Sequence, residues 1–273
     1  MVTAGLAARL EAAAAVVRPL GRVLVAYSGG VDSAVVAEIA RRELGDRAEA
    51  VIARSPSLPR SELDAAVDLA AQRGINLRVV DTAELELEGY RANQPDRCYH
   101  CKTELYTTLV ALGRASGASI LDGFNRDDRG DWRPGRRAAV EAGVLSPLDI
   151  AGMGKEDVRA AAREMGLRNW EKPAAACLSS RIPYGTPITV EMLGRVESAE
   201  AALRAEGFGQ LRVRDRGGVA TLEVERAELA RLRQPLLLAR IRARLLSLGF
   251  HSVEVDPLGY RAGNLNVAGF QAE

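Results

Sequence analysis

Apolar positions in the first two thirds of the chain switch between short continuous runs and stretches with helical spacing. The runs GRVLVAYS (21–28), AEAVIARS (48–55), INLRVVDT (75–82) and ASILDG (118–123) read as buried strands. Between and after them, SAVVAEIARREL (33–44), RSELDAAVDLAAQRG (60–74), CKTELYTTLVALGRASG (101–117), RRAAVEAG (136–143) and GKEDVRAAAREMG (154–166) carry helical spacing. The second of these begins near Ser61 and stops at Gly74; the last has acidic residues in its first turn and Gly166 after its end. Strands alternating with helices predict an α/β fold built on a doubly wound parallel sheet.

The pattern changes at KPAAACLSSRIPYGTPIT (172–189), which has three prolines and no period and reads as a structured linker. Beyond it come a helix over 189–207, two strands about the Gly217–Gly218 turn, a long helical stretch over 227–249 interrupted at Pro235, and a last strand near 251–259. This order predicts a smaller C-terminal α+β domain with an antiparallel sheet. The expected division is 1–170 and 171–273.

Composition narrows the class. The chain has 273 residues, 47% hydrophobic and 27% charged, and needs no disulfide staples to fold. The net charge of +1 gives no reason to expect nucleic acid as a partner. The Ala-rich start reads as an amphipathic helix rather than a signal peptide, and no run reaches the ~20 apolar residues of a membrane span. Three cysteines, an odd number, fit a cytoplasmic protein with reduced thiols or a metal.

The most specific string is YSGGVDS, between the first strand and the first long helix. Two glycines let backbone N–H groups approach an anion, the helix N-terminus adds positive potential, and Ser28 and Ser33 add hydroxyls. In an open α/β sheet this is also where ligands bind. Neither a Walker lysine motif nor G-x-G-x-x-G is present. SGGVDS resembles the pyrophosphatase loop of the PP-loop ATP pyrophosphatase superfamily, with an adenine nucleotide alpha hydrolase-like fold. LDGFNRDD (121–128) resembles that superfamily's second nucleotide element, and RRAAVEAGVLSPL its continuation. The resemblance implies ATP, with Ser28, Gly29, Gly30, Asp32 and Ser33 cradling phosphates and Asp122, Gly123, Asn125 and Asp128 beside the nucleotide. It implies Mg²⁺ near Asp32; a metal is also expected from the charge of a leaving pyrophosphate.

The thiols lie in RCYHCKTELY and AAACLSSRIPYG. Cys98 and Cys101 sit just before a predicted helix, whose N-terminus lowers thiol pKa. Four readings stand: a structural zinc completed by His100 or an acid, a redox Cys-x-x-Cys, inert buried cysteines, or a [4Fe–4S] cluster on three thiolates with one iron open. RCYHCKTELY, KPAAACLSSRIPYG and GYRAGNLN (259–266) together resemble the LarE family, ATP-dependent sulfur transferases of nickel-pincer nucleotide synthesis, over nearly the whole chain. That family adenylates a carboxylate of pyridinium-3,5-biscarboxylic acid mononucleotide and replaces oxygen by sulfur. The resemblance implies that Cys177 is catalytic. It either joins Cys98 and Cys101 in holding a [4Fe–4S] cluster that carries sulfide, or is itself sacrificed as the sulfur donor.

A nucleotide substrate needs cations for its phosphate. Arg181 is the best placed in sequence, and Arg212 and Arg214 share one face of a strand. An ion pair for Arg181 and a solvated sheet face for the other two are the competing readings. Lys102 is a phosphate ligand or an ordinary helix-surface lysine, and His251 has no expected chemistry. The expected partners are a small-molecule nucleotide, a sulfide or other sulfur donor, and further copies of the chain, with PLLLARIRARLLSLG as oligomer contact or core. A tRNA thiolation enzyme, an amidotransferase-type ligase and a nucleotide-sensing module with a structural metal are the alternatives.

Overall fold

The computed structural model describes residues 4–130, 133–173 and 176–261. Two compact units form. The first takes the chain up to Glu84 and again from Cys98 to Pro173; the second takes Leu85–Arg97 and the chain from Ala176 onward.

The chain runs α1 (Ala4–Val17), β1 (Val23–Ala26), α2 (Val31–Leu44), β2 (Ala48–Arg54), α3 (Arg60–Arg73) and β3 (Leu77–Asp81). The short α4 (Glu88–Arg91) belongs to the second unit, after which α5 (Arg97–Ser116) returns the chain to the first. Then come β4 (Ser119–Leu121), α6 (Gly135–Glu141), α7 (Pro147–Ile150) and α8 (Lys155–Glu164). The four strands are parallel in the order β3-β2-β1-β4, and Leu145 adds a single parallel bridge to Leu121. The order reverses between β1 and β4, the topological switch point where ligands bind in such sheets.

Strand alternation covers both faces of this sheet. Val23 and Val25 of β1 and Ala50 and Ile52 of β2 pack with α1, α2, α3 and α8. Leu24 and Val51, between them in sequence, pack instead with Tyr106 and Leu109 of α5 and Ala138 and Ala139 of α6. Each fully buried Val or Leu contributes about 1.5–3 kcal/mol, so the two layers are comparable anchors. Helix α3 ends on Gly74, left-handed at φ 62°, whose N–H reaches Ala70 and Ala71 carbonyls. The N-terminal α1 buries Leu6, Ala13, Ala14 and Val17 in the first core. No helix among the described residues is long and apolar enough to cross a membrane.

The second unit continues with α9 (Val190–Ala205), β5 (Leu211–Arg216), β6 (Val219–Val224), α10 (Leu229–Leu232), α11 (Pro235–Ser247) and β7 (Ser252–Val255). Pro235 occupies the first turn of α11, where its missing N–H costs nothing. β5 and β6 form a hairpin whose Gly217 and Gly218 both have positive φ, as a two-residue turn requires. The sheet differs from the antiparallel one expected: β7 lies parallel to β6. The physical reason is α11, which carries the chain back along the sheet so that β7 enters in the direction of β6. One sheet face buries Leu211, Val213, Leu222 and Val253 with α9, α10 and α11. The other carries Arg212, Arg214 and Glu223.

Candidate active site

The loop after β1 is folded by its own side chains. Ser33 Oγ accepts from the Ser28 N–H at 3.1 Å, lies 3.1 Å from Ser28 Oγ, and donates to the Gly30 carbonyl at 3.2 Å. Gly29 has φ 70°, and a Cβ there would stand 2.5 Å from Ala66 Cβ of α3. Gly30 is the N-cap of α2; its own N–H donates to Ser28 Oγ at 3.3 Å, and it makes no side-chain cap bond to the first turn. The first turn of a 14-residue helix therefore presents backbone donors beside a serine pair.

The loop after β4 packs directly on that turn. A Cβ at Gly123 would lie 2.7 Å from Ser33 N and 2.9 Å from the Asp32 carbonyl carbon. Asn125 Nδ2 donates to Asp32 Oδ1 at 3.1 Å, and the Asn125 N–H donates to Asp128 Oδ2 at 3.1 Å. Asp122 is buried and accepts from the Phe124 N–H at 3.1 Å and from Ser146 Oγ at 2.6 Å. Burial, then the Asp122 charge, pushes the neighbouring Tyr106 phenol above its usual range. Burial, with a smaller contribution from the Asp32 charge, raises the Asp128 carboxyl. The structure thus brings together the nine residues expected at the nucleotide. Asp32 and Asp128 supply the carboxylate oxygens that a hard divalent cation takes.

Several residues here escape sequence reasoning. Lys155, the first residue of α8, sets its Nζ 2.5 Å from Asp32 Oδ2. A lysine in the first turn of a helix opposes the helix dipole, and that is the one signal the sequence offers. Asn169 donates to the Gly29 carbonyl at 3.0 Å. Arg136 donates to Ser146 Oγ at 2.8 Å, lies 3.6 Å from Asp122 and stacks 4.1 Å over the Phe124 ring.

Cys98 and Cys101 do not precede the helix; both lie inside α5, which starts at Arg97. Nothing in RCYHC opposes a helix, so the pattern simply begins earlier. Spaced i, i+3, the two thiols share one face of the first turns. Cys98 is exposed and Cys101 half-buried. A Cβ at Gly135 would stand 3.2 Å from the Cys98 carbonyl and 2.8 Å from Lys102 Cγ, so the Lys102 stem packs on the start of α6. Among the described residues, no group of three or more His, Cys, Asp or Glu is gathered to hold a metal ion. That holds for a zinc site completed by His100 and equally for a set made of Cys98, Cys101 and Cys177. Ala174, Ala175 and the residues 262–266 of GYRAGNLN lie outside the described residues.

In the second unit, half-buried Cys177 is the N-cap of a short 3-10 turn, Leu178–Arg181. Arg181 is 2% exposed and pairs with Glu200 at 2.8 and 3.1 Å, while its Nη1 donates to the Ala176 and Cys177 carbonyls at 2.7 and 2.9 Å. Arg214 is 7% exposed, pairs with Glu223 at 2.6 and 2.9 Å and donates to the Ser180 carbonyl at 2.9 Å. Both are committed to internal partners, and the face they occupy is buried rather than solvated. Arg212 differs. Among the described residues it has no carboxylate partner, donates to the Leu211 carbonyl at 2.7 Å and lies 5.1 Å from the Tyr260 ring. Burial, then the charge of Arg181, lowers its pKa. A half-buried guanidinium beside a second cation carries a charge that an anion would stabilise.

A Gly-Gly-Val-Asp-Ser loop at the switch point of a parallel sheet, with a second loop sealing it, defines an α/β enzyme of the PP-loop type. A family model described as NAD synthase matches residues 14–97, from α1 through this loop to the start of α5. The chain is 44% identical over 248 residues to an uncharacterized protein of Synechocystis sp., covering 90% of this chain and 92% of that one. It is 38% identical over 265 residues to the pyridinium-3,5-bisthiocarboxylic acid mononucleotide synthase of Lactiplantibacillus plantarum, covering 96% and 95%. A tRNA-specific 2-thiouridylase of Acidithiobacillus ferrooxidans is 30% identical over 176 residues, about half of each chain. The chain belongs to the LarE family, that of the pyridinium-3,5-bisthiocarboxylic acid mononucleotide synthases, and is an enzyme of that type.

Proposed function

We propose that the protein adenylates a carboxylate of pyridinium-3,5-biscarboxylic acid mononucleotide with ATP and converts it to a thiocarboxylate for a nickel-pincer nucleotide. The observation that carries this reading is the end-to-end likeness to a synthase of that product, joined to an intact loop at 28–33. ATP phosphates take the N–H groups of Gly29, Gly30 and α2, with Ser28 and Ser33 as hydroxyl partners. Asp32 and Asp128 would hold Mg²⁺, which would neutralise charge on the phosphates, and Lys155, paired with Asp32, is the cation offered to a phosphate oxygen. The substrate carboxylate attacks the α-phosphorus and pyrophosphate leaves. A sulfur nucleophile then attacks the acyl-adenylate and AMP departs.

Arg212 is the cation offered to the substrate phosphate, with Arg181 and Arg214 fixing its surroundings through Glu200 and Glu223. Cys177 is the catalytic thiol. In the cluster reading Cys98, Cys101 and Cys177 would hold a [4Fe–4S] cluster, which when bound would supply an open iron position for an external sulfide. The sacrificial reading uses Cys177 alone and leaves Cys98 and Cys101 without a role.

The test is anaerobic purification with iron and sulfide analysis, followed by turnover with ATP, Mg²⁺, the dicarboxylate substrate and sulfide. Substrate-dependent pyrophosphate release with thiocarboxylate product is expected. ATP binding without pyrophosphate release overturns the enzyme mechanism. An iron-free protein that loses one sulfur per turnover overturns the cluster and establishes sacrifice of Cys177.

A further inference from the structure

The segment before Cys98 is bound tightly to the turn after Cys177, and the mechanism above uses none of its side chains. Asn93 is fully buried and holds φ 53°, the one positive value among the described non-glycine residues. Its Nδ2 donates to the Pro183 carbonyl at 2.7 Å and the Thr186 carbonyl at 2.9 Å, with Ile182 at 3.5 Å. Its own carbonyl accepts from the Gly185 N–H at 3.0 Å, and the Arg91 carbonyl accepts from the Ile188 N–H at 2.9 Å. Asn93 Oδ1 also accepts from Arg97, whose Nη1 donates to the Ser179 carbonyl at 3.0 Å. Tyr90, 1% exposed, sets its hydroxyl 2.6 Å from Ser179 Oγ. A left-handed, fully buried Asn that spends its amide on loop carbonyls is a local cost kept for what it orders.

What it orders is the backbone next to the thiol. Ser179 is fully buried between Tyr90 and Arg97. The Cys177 carbonyl accepts from the Ser180 N–H at 3.0 Å, from Ser180 Oγ at 2.8 Å and from Arg181 at 2.9 Å. The turn that Cys177 caps is therefore fixed on one side by Arg181 and on the other by the 90–97 segment. We propose that Tyr90, Asn93 and Arg97 are positioning residues for the Cys177 thiol. This rests on the reading of Cys177 as the catalytic thiol. Sulfur transfer to an activated acyl group needs near-attack geometry, and a displacement of about 1 Å costs roughly 10²-fold in rate.

The test uses the full chain with Tyr90→Phe, Asn93→Gly, Arg97→Met and Arg97→Lys. Asn93→Gly keeps the backbone conformation and removes the amide; Tyr90→Phe keeps volume and removes only the hydroxyl. The first readout is the iodoacetamide alkylation rate of Cys177 in reduced, substrate-free protein, resolved by peptide mass, with Cys101 as internal reference. Arg97→Met and Asn93→Gly are expected to raise it roughly tenfold, the factor carried by one lost buried hydrogen bond of about 1.4 kcal/mol. Thiocarboxylate formation is expected to fall about 10²-fold while substrate-dependent pyrophosphate release is kept, and Arg97→Lys to restore most of both. An unchanged Cys177 rate in all variants overturns the proposal, as does a parallel fall in pyrophosphate release. Full thiocarboxylate formation by Cys177→Ser instead overturns the catalytic role of Cys177, and the alkylation rates, which need no substrate, still decide the positioning.

Discussion

Lys155 Nζ and Asp32 Oδ2 stand 2.5 Å apart, although 122 residues lie between them in sequence. The pair joins the first turns of α2 and α8 at the mouth of the loop, and both side chains keep partial exposure. An ion pair so placed contributes little to folding; in the proposed reaction its carboxylate would meet a metal and its ammonium a phosphate. Lys155→Met is expected to leave the unfolding midpoint nearly unchanged. It should lower kcat/KM for pyrophosphate release about 10²-fold, the usual cost of losing one charged donor on a developing charge. Steady-state pyrophosphate assays over a range of ATP concentrations check this. Wild-type kinetics in the variant would remove Lys155 from the site.

Gly123 has no room for a side chain. A Cβ would meet backbone atoms of Asp32 and Ser33, which cannot swing aside as a flexible side-chain tip would. Gly123→Ala is expected to destabilise by about 1–3 kcal/mol and to weaken ATP binding by pushing the second nucleotide loop off the first. Gly130→Ala, where nothing among the described residues lies within 4 Å, is the control. Denaturant unfolding with and without ATP separates the two effects.

Much of this is legible in the chain, for reasons that differ residue by residue. Gly74 and Pro235 fix helix ends through their own backbone restrictions, so the end of α3 and the start of α11 fall where expected. The alternation of Val23, Leu24 and Val25 into two cores follows from strand geometry. The two nucleotide loops are joined at the level of sequence by their resemblance to the PP-loop superfamily; in the fold each follows a strand that flanks the switch point. Lys155 and Arg136 cannot, because their partners depend on tertiary folding. The same is true of the 85–97 segment, which local periodicity leaves unassigned and which folds with residues far downstream. The parallel β7 escapes the sequence pattern because strand direction depends on how α11 packs, not on any residue within β7.

Glu38 predicts an acid limit. Its side chain is fully buried on α2 and receives hydrogen bonds from Arg41, Arg42 and Arg73. Burial alone would raise its pKa; the arginines outweigh burial and hold it at about 2. A carboxylate whose folded pKa lies below its ordinary value of 4.5 contributes stability that is whole above about 4.5 and lost as pH falls toward 2. Glu38→Gln is expected to cost about 1–3 kcal/mol at neutral pH and to flatten the unfolding free energy between pH 4.5 and 2. Urea titrations across that window test it. An equal acid slope in the variant would assign the acid sensitivity elsewhere.

Arg212 and Arg214 alternate on one strand, yet their substitutions should fail in different ways. Arg214 is paired with Glu223, which is itself fully buried. Arg214→Met strands that carboxylate without its cation, and breaking a buried pair from one side costs about 3–5 kcal/mol. Loss of folded protein, or a large drop in thermal midpoint, is expected, with any activity loss following from it. Arg212 is half-buried with no carboxylate partner among the described residues, so Arg212→Met removes a desolvated charge and relieves the fold. Its expected cost appears in the substrate: KM for the pyridinium mononucleotide rises about 10–100-fold, the worth of a hydrogen bond to a charged group. KM for ATP should stay the same, since none of the residues assigned to ATP lies on β5. If the Arg212 variant is the unstable one and the Arg214 variant keeps its fold but loses substrate affinity, the two roles are exchanged and the phosphate ligand is Arg214.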